Sequence, residues 1–139
     1  MKYTYSICHP DKPEIEYPKG TKTKEEVYEM ASTYNWKEKL IFLESLDEKD
    51  ICFSPSLVFK NSETNHSFCL TAHFNNSKLD FSLWYNRPVK KKSFFGFGKE
   101  VEKIEVIDKW SFSKEEALKH LMLFLDEKYS KLELFMTSI

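Results

Sequence analysis

The sequence predicts an α+β fold: an antiparallel sheet of about four to six strands with helices packed on one face. Three observations predict it. Ile104 to Leu134 reads as a strand, a capped turn and a long amphipathic helix. Ser67 to Asn86 alternates apolar and polar residues across an Asn-Asn-Ser turn, the pattern of a hairpin. The remaining segments fall in the order β, α or αα, a meander of strands, then α. No break in composition divides the chain, and its 139 residues are expected to form one domain.

Lys2 to Cys8 alternates, with Tyr3, Tyr5 and Ile7 on one side, and is expected to be a strand. Pro10, Pro13 and Pro18 hold the next stretch extended as far as Gly20, with room for a short edge strand at Glu14 to Tyr17. Thr23 and Glu26 have capping-box spacing, and Val27, Met30, Ala31 and Tyr34 follow at helical intervals. A helix over about 24–33 is expected. Asn35 and Glu38 offer another cap, with Trp36, Leu40, Leu43 and Leu46 behind it. That segment is read as a helix, although the apolar run Leu40 to Leu43 also suits a strand.

Ile51 to Lys60 reads as a strand with Pro55 in it, which favours an edge or a bulge. Asn61 to Asn65 is turn chemistry. Phe68, Leu70, Ala72 and Phe74 alternate with Cys69, Thr71 and His73. Leu79, Phe81, Leu83 and Tyr85 alternate with Asp80, Ser82, Trp84 and Asn86. Arg87 to Glu100 reads as a long basic and aromatic loop, and Val101 to Trp110 as a further strand. Ser113 and Glu116 repeat the capping box, with Phe112 placed as a hydrophobic staple against Ala117. Leu118, Leu121, Met122, Leu125, Tyr129 and Leu132 then form one apolar stripe, expected to lie along a single helix.

Composition narrows the function. A net charge of −1 gives no global field for nucleic acid or anionic lipid. Of 21 Lys plus Arg only Arg87 is arginine, which argues against specific nucleic-acid recognition. Cys8, Cys52 and Cys69 are odd in number and lack Cys-x-x-Cys spacing, as free thiols of a reducing compartment would be. The N-terminal residues lack the apolar core of a signal peptide, and no run approaches the ~18 apolar residues of a membrane span. The expected compartment is the cytoplasm.

Catalytic and metal chemistry finds little support. His66, Cys69 and His73 lie close in sequence, but His66 has the opposite strand parity to the other two. Cys69 and His73 would stand roughly 13 Å apart along one face. No pair has finger spacing and there is no nucleophile elbow. Glu100, Glu102, Glu105 and Asp108 interleave with Lys99, Lys103 and Lys109 as on a solvated strand face, with Asp80 on another strand. Phe95-Gly96-Phe97-Gly98 is neither a phosphate loop nor an RNA-binding signature. No catalytic residue, metal ligand or cofactor is expected.

What stands out is the aromatic content of 16%, with twelve Phe and seven Tyr, more rings than one small core uses. The expected function is therefore non-catalytic protein binding. The contact residues would be Arg87, Lys90, Lys91, Lys92, Phe94, Phe95 and Phe97, basic and aromatic groups in one loop. A concrete version is a cytosolic immunity-type protein that neutralises a cognate bacterial toxin. The alternative is a small-ligand binder or enzyme with a pocket between sheet and helices, lined by Phe81, Trp84, Tyr85 and Trp110. Binding of nucleic acid or a membrane surface through the basic loop ranks last.

Overall fold

Alternation of apolar and polar side chains builds the sheet. The computed structural model describes residues 2–92 and 100–138. Among these residues five strands run in the order β1 (Tyr3–Cys8), β2 (Ser56–Asn61), β3 (Ser67–Asn75), β4 (Lys78–Lys92) and β5 (Glu100–Phe112), each antiparallel to the next. Phe68, Leu70 and Ala72 of β3 stand opposite Tyr85, Leu83 and Phe81 of β4, and all six are buried. Cys69, Thr71 and His73 stand opposite Trp84, Ser82 and Asp80 on the other face. Asn76 and Ser77 close this hairpin with positive φ values of 52° and 67°, the two-residue mirror-image turn that suits strand twist.

β2 starts directly after Pro55, which lies outside the strand and not in it. The extended segment after β1 makes single bridges, Ile7 to Glu16 and Tyr3 to Lys22, in place of a regular edge strand. Arg87–Glu100 is not a loop throughout. Arg87 to Lys92 continue β4, and Glu100 begins β5, with Arg87 opposite Glu105, Lys90 opposite Glu102 and Lys92 opposite Glu100. The alternation of Arg87, Val89 and Lys91 with Pro88, Lys90 and Lys92 satisfies strand geometry whatever its polarity. Phe94, Phe95 and Phe97 lie outside the described residues.

Among the described residues four helices, α1 (Lys24–Thr33), α2 (Trp36–Ser45), α3 (Lys114–Leu125) and α4 (Tyr129–Thr137), cover one face of the sheet. Thr23 and Ser113 form complete capping boxes with Glu26 and Glu116. Asn35 makes no side-chain cap bond, so the α2 start rests on packing of Trp36 and Leu40. The amphipathic stretch after Ser113 is two helices, not one. Glu127 takes φ 55°, its N–H donates to Phe124 O at 3.1 Å, and the Lys128 N–H donates to Leu123 O at 2.9 Å. That is a Schellman termination with glutamate where glycine is usual. The turn folds α4 back, so that Leu132 and Met136 reach the same core as Leu121, Phe124 and Leu125.

The core is a stack of rings between sheet and helices. Phe124 of α3 lies 5.6 Å from Phe68, 5.8 Å from Tyr3 and 6.0 Å from Tyr129. Trp36 meets Phe81 edge-on at 5.1 Å. Leu118 and Met122 are only half-buried, and Ala117 and Phe124 take the places expected for them. Among the described residues no helix is long and apolar enough to cross a membrane.

Candidate functional site

Because the helices share one side, the other face of the sheet is left open at β4 and β5. Strand parity puts Trp84 and Pro88 of β4 on it, together with Glu102, Ile104, Val106 and Asp108 of β5. Trp110 continues the same alternation, and a register shift opposite Ser82, with Ser111 at φ 72°, turns Phe112 into the core. Trp84 is 42% exposed, Ile104 56%, Val106 51% and Trp110 56%. Four large apolar side chains on one uncovered surface are unlike the scattered exposure of ordinary monomers.

Polar groups hold the Trp110 ring within this surface. The Trp110 Nε1–H donates to Asp108 Oδ2 at 3.3 Å, and the His73 ring lies 5.5 Å from the Trp110 ring. His73 Nε2 is 3.1 Å from Asp80 Oδ2. The Ser82 hydroxyl is buried without a hydrogen-bond partner among the described residues. Cys69 stands opposite Trp84, and burial pushes its thiol up to about 11, which leaves it protonated and unreactive at neutral pH. Farther along the open face, Thr4, Ser6, Ile15, Tyr17, Val58 and Lys60 border a groove of about 550 Å³.

The four residues expected to line a sheet–helix pocket do not come together. Phe81 and Tyr85 are buried in the ring stack, whereas Trp84 and Trp110 are on the opposite face. The space between sheet and helices that they would have lined is occupied by Leu83, Leu121 and Phe124. Of the expected loop contacts, Arg87 points to the helix side, where its Nη1 lies 3.0 Å from Glu133 Oε1. Ile104 and Val106 escaped the sequence reading because flanking charges made β5 look like a solvated strand. Their signal is parity: Ile104, Val106 and Trp110 share a face with no helix over it among the described residues.

The His and Cys residues are dispersed. His66 sits at the sheet end, its Nδ1 sharing a 2.6 Å hydrogen bond with the Tyr85 hydroxyl and its ring stacked at 3.8 Å on Tyr129. The Tyr129 hydroxyl accepts from Asn61 Nδ2 at 3.1 Å. Burial, helped by Arg87, lowers the His66 pKa below 6.5, and burial raises that of Tyr85. Both are neutral at pH 7, a hydrogen-bonded cluster that closes the core. Among the described residues no group of three His, Cys, Asp or Glu is placed to hold a metal ion.

The His66 shift has a consequence with a definite sign. The folded protein takes up this proton less readily than the unfolded chain. Stability from His66 is therefore fully present above pH 6.5 and is lost as pH falls through the lowered folded value. Urea unfolding at pH 7.5 and pH 5 should show the loss, and His66→Gln should reduce it. An equal loss in the variant would assign the acid sensitivity to other groups. Comparison with protein-family models, curated proteins and solved structures yields no match, so the site rests on its own geometry.

Proposed function

We propose that this is a non-catalytic domain that binds a protein partner through the open face of its sheet. The observation that carries the reading is the cluster of Trp84, Ile104, Val106 and Trp110, exposed together on a surface that no helix covers among the described residues. Tryptophan is prominent among residues that dominate contact energies, because a rigid ring loses little entropy and removes much apolar surface from water. The basic stretch Lys90 to Lys92 continues β4 beyond this cluster, with glutamates opposite Lys90 and Lys92 in register. The apolar face rather than a basic field is therefore the favoured contact. In its narrower form, the protein is an immunity-type inhibitor that occludes a bacterial toxin, a task that needs contact area and no chemistry.

The test is affinity capture from the native host with the wild type and with the double variant Trp84→Ser, Ile104→Ser. Stability should change little, within about 1 kcal/mol for two surface positions. Capture of a stoichiometric protein partner should be lost, since central aromatic anchors each carry about 2 kcal/mol or more. A folded double variant that retains the partner would remove this face from the function. The narrower form predicts in addition that the partner is a toxin domain, inactive in the complex.

A further inference from the structure

We infer that the Trp84–Trp110 end of the open face receives a basic side chain, arginine or lysine, presented by the protein partner. This deepens the binding role proposed above and rests on it. Asp108 stands directly opposite Trp84 in register, and its Oδ2 accepts the Trp110 indole N–H at 3.3 Å. One carboxylate is thus set between two indoles that are 42% and 56% exposed. Indole faces carry negative potential, and a guanidinium or ammonium group within about 6 Å of a ring centroid is attracted to it. A carboxylate holding one N–H still has lone pairs free for a cation.

Among the described residues Asp108 has no ion-pair partner. The next residue, Lys109, turns to the helix side, where its Nζ donates to the carbonyls of Phe135 and Ser138 at the end of α4. Arg87 is likewise engaged with Glu133 on the helix side. His73, which borders Trp110, is hydrogen-bonded to Asp80. Of the lysines that share this face by parity, Lys60 lies on β2, Lys78 at the β3–β4 turn, and Lys90 and Lys92 at the far end of β4, opposite Glu102 and Glu100. The end of the face nearest Trp110 combines aromatic surface with an acid, Asp108, that has no ion pair among the described residues. An acidic or purely apolar partner surface would leave Asp108 desolvated without a counter-charge, a costly arrangement. A basic residue set in an apolar patch meets both demands.

The probe is a blocked tetra-arginine peptide, titrated into the full chain carrying nitrogen-15, with the three indole N–H resonances as readout. Trp36 is an internal control, because its Nε1–H is buried and donates to Ala31 O at 2.9 Å. The resonances of Trp84 and Trp110 should shift saturably while Trp36 stays fixed. A tetra-glutamate peptide should shift none of them. Asp108→Asn should weaken the arginine peptide about fivefold, the loss expected for one exposed cation contact of this kind. Trp84→Leu should weaken it similarly. Unmoved Trp84 and Trp110 resonances, or equal shifts with tetra-glutamate, would overturn the inference, as would full affinity in a folded Asp108→Asn variant. These results are separable from the broader reading. A partner that is lost with Trp84→Ser, Ile104→Ser, from a protein that ignores the arginine peptide, would keep the contact face and reject the basic side chain.

Discussion

Phe124→Ala should lower stability by about 3–5 kcal/mol, and Leu121→Ala and Leu125→Ala by about 2–5 kcal/mol each. All three side chains are buried where α3 meets the sheet. Phe124 is the costliest because it is shared by several elements: its ring touches Tyr3 of β1, Phe68 of β3, Tyr85 of β4 and Tyr129 of α4. Removing it opens a cavity at a junction that four surrounding rings cannot close without leaving their rotamers. Leu125 is buried beside the hydrogen bond that its own carbonyl accepts from the Tyr3 hydroxyl at 3.1 Å. Leu118→Ala is the internal comparison. Its side chain is half-buried, so the loss should stay below about 2 kcal/mol, less than the full transfer value of a leucine. Denaturant unfolding with an unchanged m-value measures all four. Equal losses at Leu118 and Leu121 would mean that α3 is rotated relative to its packing described above.

Trp36→Ala should cost about 3–5 kcal/mol, and Trp36→Phe roughly 1–3 kcal/mol. The indole does two jobs at the junction of α1 and α2. Its ring is wedged edge-on against Phe81 at 5.1 Å and lies 4.6 Å from Tyr34. Its Nε1–H donates to Ala31 O, one of the last carbonyls of α1, which has no partner inside the helix. Phenylalanine keeps most of the packing but leaves that buried carbonyl unpaired, so the difference between the variants separates ring volume from hydrogen bond. Equal unfolding midpoints for the two variants would show that the hydrogen bond alone holds the junction.

Both results bear on what was legible in the sequence. α1 and the start of α3 were, because a capping box is a contact over three residues and its cause lies entirely in Thr23 to Glu26 and Ser113 to Glu116. The hairpin of β3 and β4 was legible for the same reason: its two faces are written in strict alternation, and its turn residues tolerate positive φ. The break between α3 and α4 was not. Glutamate at position 127 carries no signal for the left-handed conformation, and the apolar stripe runs on past it. What stabilises the turn is the return of Leu132 and Met136 to the core, a contact with residues far away in sequence.

The candidate site divides in the same way. Sequence by itself determined the alternation of β4, which puts Phe81 and Tyr85 on one side and Trp84 on the other, because successive side chains of a strand point oppositely. It also determined that the chain holds more rings than a core of this size uses. Only the tertiary structure decided which side would be covered. Periodicity is blind to the number of layers: all four helices collect over Phe81 and Tyr85, and Trp84, Ile104, Val106 and Trp110 are left facing water. Only pairing between strands could set Asp108 opposite Trp84, and only the irregular register near Ser111 could turn Phe112 inward after Trp110. Those placements depend on contacts between distant residues, whose free energy appears only once the layers have assembled.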